Sequence, residues 1–143
     1  MDVASSSDTI LIDTDIFTYL FKNSAEAYKF RPFVEKKMAC VSFASAGELF
    51  FGAFSAGWGE KKILALTKEL SNYVIISSNY YICLLYGRIR SQCESSGHVL
   101  NDPDYWIAAS AIHYDCPLVT NNWKHFRHIP GLRLISPQDK QTN

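Results

Sequence analysis

Residues 9–15, TILIDTD, decide the fold. Four residues with strand character are followed at once by two acidic residues and then by helical spacing of apolar residues over 16–21. The same change of period recurs at residues 38–41, which precede a helical pattern over 44–56. Strands that alternate with helices, without tight hairpin turns between them, predict a parallel sheet covered by helices on both faces. The predicted fold class is therefore α/β.

The rest of the chain continues this alternation. Further strands are expected at residues 73–76, 118–119 and 132–135, and further helices at 25–36, 61–70, 79–95 and 104–114. The helix over 44–56 is expected to end before Gly57 and Gly59, because glycine suits the backbone conformations of helix termini. The sequence contains neither an internal repeat nor a linker. We expect a single domain over 1–143, with its core at about 9–137.

The composition limits the classes of function. The 143 residues are 48% hydrophobic and carry a formal net charge of +0, which is typical of a globular domain and not of a disordered chain. No overall positive field is available to hold a polyanion, so contact with nucleic acid depends on local basic groups. The N-terminus lacks a basic start, and no stretch reaches the roughly 20 apolar residues that span a bilayer. We expect a soluble, cytoplasmic protein with no membrane contact.

The cysteines favour buried, reduced thiols over a disulfide framework, because they form no CxxC pair and lie within apolar stretches. They are Cys40, Cys83, Cys93 and Cys116. A zinc site made of Cys116, His125 and His128 is an alternative, although this pattern lacks a fourth ligand.

Two carboxylates stand out because of their surroundings. Asp13 directly follows the first strand, at the edge where parallel sheets bind ligands. Helix capping is an ordinary structural explanation, since Asp is a favoured N-cap residue, and Asp15 competes for that role. Glu48 is the only charged residue of a small and apolar stretch at 44–53, where a buried carboxylate would need a partner. A solvated position on an amphipathic helix explains Glu48 equally well.

Similar side chains recur at corresponding places later in the chain. Asp102 and Asp104 stand at the start of the helix over 104–114, where capping and the helix dipole also favour negative charge. Asn122 follows the strand over 118–119, although Asn is an ordinary turn residue there. Taken together, a sparse set of oxygen ligands around one crevice suits Mg²⁺ or Mn²⁺. This pattern favours metal-assisted hydrolysis of phosphodiester bonds.

Several motifs, taken in order, resemble the PIN domain, and in particular the VapC-type toxins of prokaryotic toxin–antitoxin pairs. They are residues 10–15 (ILIDTD), 48–52 (ELFFG), 104–109 (DYWIAA), 118–126 (LVTNNWKHF) and 129–135 (IPGLRLI). The resemblance extends from about residue 9 to residue 137, and the third and fourth motifs carry most of its specificity. It implies a parallel sheet of strand order 3-2-1-4-5, which brings the ends of the strands before Asp13 and Thr120 side by side.

The resemblance also implies which residues carry the activity. Asp13, Glu48 and Asp104 are the implied catalytic carboxylates and ligands of Mg²⁺ or Mn²⁺, in a ribonuclease that hydrolyses RNA phosphodiester bonds. Thr120 resembles a hydroxyl residue that orients a ligand or water, and it could equally cap a turn. Asp102 is expected to be a neighbour of the site and not a ligand.

This chain departs from the family pattern in its charges. Asn122 stands where the family commonly has a fourth acid, and His125 stands where the family often has Asp. Both departures reduce negative charge, which weakens the case for a second metal ion. Asp15, at a position that is usually Asn or Ser in the family, restores part of that charge. The partners implied are an RNA substrate, a cognate antitoxin protein and a second copy of the chain in a homodimer.

Local basic groups are the candidates for contact with the RNA backbone. The first candidates are Arg88, Lys124 and Arg127, followed by Lys22 and Arg90. Two other functions remain open. Asp-Thr-Asp after a strand also resembles haloacid-dehalogenase-like phosphatases, in which Asp13 would be a covalent nucleophile. A PIN-like domain that binds without catalysing is the non-enzymatic alternative, although the retained acids count against it.

Overall fold

The structure, a computed structural model, describes residues 8–137. Its strands are β1 (Thr9–Ile12), β2 (Met38–Ser42), β3 (Val74–Ile76), β4 (Leu118–Val119) and β5 (Leu134–Ile135). Its helices are α1 (Thr14–Lys22), α2 (Ala27–Val34), α3 (Phe43–Ser55), α4 (Glu60–Leu70), α5 (Tyr80–Ser95), α6 (Asp102–His113) and α7 (Trp123–Phe126). The alternation confirms the predicted α/β class.

The strands form one sheet in the order β3-β2-β1-β4-β5, in which every neighbouring pair is parallel. The expected order 3-2-1-4-5 is confirmed. At the carboxyl end of the central strand, Ile12 lies opposite Val41 of β2 and Val119 of β4. Because these strands run in the same direction, the residues that follow β1, β2 and β4 emerge at one edge of the sheet.

Side chains of β1 alternate between the two faces of the sheet, as in any strand. Ile12 belongs to a core cluster with Phe17 of α1 and Leu66 of α4, whereas Leu11 belongs to a second cluster with Ile107 of α6. All five side chains are at most 1% exposed. Burial of one such side chain contributes roughly 1.5–3 kcal/mol. Helices therefore cover both faces, and the two cores hold the carboxyl edge of the sheet in place.

Backbone geometry explains where the helices end. Gly57 has a φ of 73° and lies two residues after α3 ends at Ser55. Glycine adopts this left-handed conformation without steric cost, so it ends the helix as predicted. Asn23, the C-cap of α1, is also left-handed, with a φ of 49°.

Several local features differ from the prediction, including the bounds of α2 and α6, which begin at Ala27 and Asp102. Helix α7 is not predicted, because four residues are too few to show a helical period. Strand β5 covers only Leu134–Ile135. Cys40, Cys93 and Cys116 are buried as expected, but the prediction for Cys83 is wrong, since α5 carries it on an exposed face. Within residues 8–137, no helix is long and apolar enough to cross a membrane.

Candidate active site

Parallel pairing brings the ends of β1 and β4 together. Asp13 is the first residue after β1, and its backbone N–H donates to the carbonyl oxygen of Val119 at 2.9 Å. Thr120, the first residue after β4, donates from Oγ1 to Asp13 Oδ2 at 2.7 Å. Thr120 is fully buried and Asp13 is 4% exposed. The sheet therefore places a buried carboxylate and a buried hydroxyl in direct contact at its edge.

Asp13 is also the N-cap of α1. Its second oxygen, Oδ1, accepts from the backbone N–H of Thr14 at 2.8 Å. Burial raises the pKa of Asp13, the hydrogen bonds from Thr120 and Thr14 oppose that rise, and the charge of Glu48 adds to it. Capping is thus part of the role of this residue, but it does not fully stabilise the ionised carboxylate.

Glu48 reaches the same place from the second turn of α3, which begins directly after β2. Thr14 Oγ1 donates to Glu48 Oε1 at 2.7 Å and lies 2.8 Å from Ser45 Oγ. A hydroxyl carries one proton, so Thr14 accepts from Ser45 while it donates to Glu48. Glu48 is therefore half-buried and held by a partner, which argues against a merely solvated position on a helix surface.

Asp104 lies in the first turn of α6 and is half-buried. Burial raises its pKa to about 7, and the charges of Asp13 and Glu48 add to the rise. Asp104 is thus close enough to the other two carboxylates for their charges to disfavour its ionisation. A nearby cation would reverse that effect.

Asp15 adds a fourth carboxylate from the first turn of α1. Its Oδ2 accepts from Asn122 Nδ2 at 3.4 Å, whereas its buried Oδ1 accepts no hydrogen bond of ordinary geometry among the described residues. Burial raises the pKa of Asp15 to about 7, and the charge of Asp13 adds to the rise. The backbone N–H groups of Ile16 and Asp15 still lie close enough to the carboxylate to oppose part of the rise in its pKa. A buried carboxylate oxygen without a partner is unfavourable unless a cation or water meets it.

These groups line one open pocket of about 360 Å³, which we call the acid pocket. Its lining consists of Asp13, Thr14, Asp15, Thr18, Tyr19, Glu48, Asn101, Asp104 and Asn122. The described lining includes four acidic residues and no basic one. In a chain with no net charge, this pocket has a locally negative potential that attracts cations.

Asp102 is not brought into the acid pocket. Its carboxylate accepts hydrogen bonds from the hydroxyl of Tyr86 and from Arg90 Nη1, the latter at 3.0 Å. It lines a neighbouring cleft with Trp106, and Glu48 lies between that cleft and the acid pocket because it lines both. Asp102 is therefore a neighbour of Asp104 in sequence, but its contacts join α6 to α5.

The predicted RNA-binding residues lie in different places. Lys22 lines a groove that adjoins the acid pocket. Arg88 is exposed on α5, whereas Arg90 on the same helix is engaged in ion pairs. Lys124 and Arg127 lie on α7 and at its end, on the segment that leaves the acid pocket.

The residues of the zinc alternative are not brought together. Cys116 is 2% exposed and belongs to a core cluster, whereas His125 and His128 line a surface pocket. Within residues 8–137, no three His, Cys, Asp or Glu side chains converge as a ready-made metal-ligand cluster. The same holds for the acid pocket, where the carboxylates line an open space and do not converge on one point. Thr14 and Thr120 hold two of these carboxylates in place.

Thr14 and Tyr19 line the site but are not identified by the sequence pattern. Thr14 contacts Glu48 across 34 positions of sequence, and no local period reports such a contact. The hydroxyl of Tyr19 accepts from Asn121 Nδ2 at 3.2 Å. Both residues lie in the first two turns of the helix that follows Asp13, and this position is the sequence signal that could have identified them.

Curated proteins of similar sequence include a "Ribonuclease VapC1" from Haemophilus influenzae (strain R2866). It is 30% identical over 125 residues, which cover 86% of this chain and 93% of that protein. A "tRNA(fMet)-specific endonuclease VapC" from Salmonella typhimurium is 25% identical over 124 residues, which cover 87% of this chain and 94% of that protein.

The fold is also similar to that of solved structures. The structure of VapBC2 from Rickettsia felis bound to a promoter DNA fragment is similar with a TM-score of 0.78 and 28% identity, covering 90% of this chain and 98% of that chain. Residues 10–132 match the PIN domain, and this range contains every acidic residue of the acid pocket. The chain therefore belongs to the PIN domain family.

Proposed function

We propose that this protein is a divalent-metal-dependent endoribonuclease and the toxin of a toxin–antitoxin pair. The observation that carries the proposal is the acid pocket, in which Asp13, Asp15, Glu48 and Asp104 line one open space at the carboxyl edge of a PIN-domain sheet. The relatives named as ribonucleases match most of the chain. In this proposal the substrate is RNA, and the protein acts in the cytoplasm.

The residues of the acid pocket fit Mg²⁺ or Mn²⁺. All candidate ligands are oxygen atoms, which these hard cations prefer, and Asp15 Oδ1 is a buried oxygen that accepts no hydrogen bond of ordinary geometry among the described residues. Mg²⁺ usually keeps several waters and uses only one or two carboxylates, so an open pocket suits it better than a tight cage. Asp13, Glu48 and Asp104 are the proposed ligands, and Asp15 adds a fourth charge.

The chain's own side chains hold these carboxylates in place. Thr120 and the backbone N–H of Thr14 fix both oxygens of Asp13, and the Thr14 hydroxyl fixes one oxygen of Glu48. When bound, the cation would stabilise the negative charge that develops on the phosphate oxygens. In the overall reaction, water adds to phosphorus, the bond from phosphorus to the 3′ oxygen breaks, and that oxygen takes up a proton.

The partners also follow from the relatives. Similar solved structures include VapBC complexes, from Rickettsia felis bound to promoter DNA and from nontypeable Haemophilus influenzae. We propose that this chain likewise binds a cognate antitoxin and forms a homodimer. A change in oligomeric state on co-expression with the antitoxin gene would test this part of the proposal.

The other candidate functions are less well supported. A phosphatase with a covalent aspartate is less well supported, because residues 10–132 match the PIN domain and the similar proteins are named as ribonucleases. A binding module without catalysis would have no need to keep several carboxylates in a pocket where burial raises the pKa of Asp15 and of Asp104 to about 7.

Cleavage of a total RNA pool, with the ends of the products mapped, tests the proposed activity. The wild type should cleave at defined positions with Mg²⁺ or Mn²⁺ and not in chelator, and Asp13→Asn should lower the rate by at least about a hundredfold. Glu60→Gln is the matched control, because it also removes one carboxylate but lies exposed in the first turn of α4. Undiminished cleavage in chelator, or by Asp13→Asn, would refute the metal-dependent site.

A further inference from the structure

A second pocket lies between the loop that joins α5 to α6 and the segment around α7. It has a volume of about 220 Å³, and we call it the histidine pocket. Its lining consists of Gly97, His98, Val99, Leu100, Lys124, His125 and His128. The rings of His98 and His128 stack in parallel, with centroids 3.6 Å apart and an interplanar angle of 8°.

The charged and titratable groups at the histidine pocket are all basic. No acidic side chain is found among the described residues that line it, and the ion pairs found within residues 8–137 do not involve Lys124 or His125. Burial lowers the pKa of His128, and the charges of His98 and Arg127 lower it further. The basic groups thus repel one another, and a bound anion would relieve that repulsion.

The histidine pocket adjoins the acid pocket along two segments of chain. Leu100 lines the histidine pocket and Asn101 lines the acid pocket, so consecutive residues face the two pockets. Asn122 lines the acid pocket and Lys124 lines the histidine pocket, with one residue between them. Because consecutive Cα atoms are about 3.8 Å apart, the linings of the two pockets meet at both of these segments.

We propose that the histidine pocket binds a backbone phosphate of the RNA strand, one that flanks the bond cleaved at the acid pocket. This inference rests on the proposed ribonuclease function and assigns the anion-binding part of its substrate site. The acid pocket repels a polyanion, so an adjacent group of basic side chains is needed to hold the strand across it.

The chemistry of the lining suits a phosphate. Lys124 provides an ammonium group as a point charge, and imidazole nitrogens of His98, His125 and His128 provide hydrogen-bond donors. A phosphate contact fixes the position of the strand but does not read its sequence. Binding through this pocket should therefore depend on salt and be indifferent to the bases.

Fluorescence anisotropy with two single-stranded RNA oligonucleotides of unrelated sequence tests the proposal. Asp13→Asn is used as the parent, in Mg²⁺, so that the RNA stays intact. Adding Lys124→Ala should weaken binding to both oligonucleotides by about fivefold to tenfold and lower the slope of log K against log salt by about 0.7, the value for one phosphate of a single strand. His98→Phe, which retains a ring to stack on His128 but removes the donor, should weaken both by a smaller factor.

Lys68→Ala is the matched control, because Lys68 is an exposed lysine of α4 outside both pockets. It should leave affinity within about twofold. Unchanged affinity in Lys124→Ala, or a loss confined to one oligonucleotide, would overturn the phosphate site. If the parent binds neither oligonucleotide and the wild type cleaves no RNA, the proposed function fails as well. If the wild type cleaves RNA while Lys124→Ala binds like its parent, only the phosphate site fails.

Discussion

Asp104→Asn should stabilise the metal-free protein at high pH while weakening its response to metal. Burial and the charges of Asp13 and Glu48 raise the pKa of Asp104 from 3.8 to about 7. The folded state therefore binds more protons than the unfolded state between about pH 4 and pH 7, and its stability falls as pH rises through this window. Asn cannot ionise, so the variant lacks this loss.

The magnitude follows from the size of the pKa change. At 1.36 kcal/mol per pH unit, a rise from 3.8 to about 7 corresponds to an upper limit of about 4 kcal/mol. Asp104 is only half-buried, so solvent screens part of the effect, and we expect about 1–2 kcal/mol at pH 8. For a domain of this size, that corresponds to a rise in Tm of about 3–6 °C.

Thermal unfolding in chelator, measured from pH 4 to pH 8, is the assay. The Tm difference between Asp104→Asn and the wild type should be near zero at pH 4 and grow as pH rises. Asp102→Asn is the comparison within the same helical turn, since Asp102 is paired with Arg90, and it should show no gain at pH 8. Parallel pH profiles for Asp104→Asn and the wild type would refute the reasoning.

Metal should narrow the difference in stability between Asp104→Asn and the wild type. With Mg²⁺ at ten times its Kd, the wild type should gain about 1.4 kcal/mol, because the cation binds only the folded state. Asp104→Asn should gain less, since it has lost a proposed ligand. An equal gain in both proteins would show that Asp104 does not contact the cation.

Two further substitutions test the hydrogen bonds and charges of the acid pocket. Thr14→Val removes the donor to Glu48 and should lower the cleavage rate at low Mg²⁺ by about tenfold, consistent with a hydrogen bond to a charged group. The control is Thr67→Val, because Thr67 is an exposed residue of α4 whose hydroxyl donates only to a backbone carbonyl oxygen, and this variant should leave the rate unchanged. Asn122→Asp should lower the Mg²⁺ concentration at half-maximal cleavage rate by about tenfold, because it adds a charge near the cation, and an unchanged concentration would mean that Asn122 does not face it.

Most of the fold is predictable from local patterns. The strand of residues 9–12 is recognised as a short apolar run that ends at Asp13, and the helix around 44–56 is recognised by its length and its end before Gly57. The resemblance to the PIN domain adds the order of the sheet. Helix α7 is not predictable in this way, because its short length shows no period and Phe126, fully buried, anchors it through tertiary packing. Cys83 is misassigned because an apolar neighbourhood in sequence does not reveal which face of α5 a residue occupies.

The carboxylates of the acid pocket are predictable, but the groups that hold them are not. Asp13 and Asp104 carry a positional signal, since each lies where a strand ends or a helix begins. Thr14 carries only its position directly after Asp13, because its contact with Glu48 depends on α1 and α3 meeting at the sheet edge. Long-range contacts of this kind follow from packing, and sequence spacing does not encode them.

The side chains at positions 15 and 122 both line the acid pocket and are joined by a hydrogen bond. Asn122 donates to Asp15, so an amide at 122 stabilises the carboxylate at 15, whereas a second carboxylate there would repel it. Burial and the charge of Asp13 already raise the pKa of Asp15 to about 7. A fifth acid would raise it further and leave more of the pocket protonated before metal binds. One carboxylate at 15 with an amide at 122 thus gives the pocket its fourth negative charge with less mutual repulsion than acids at both positions.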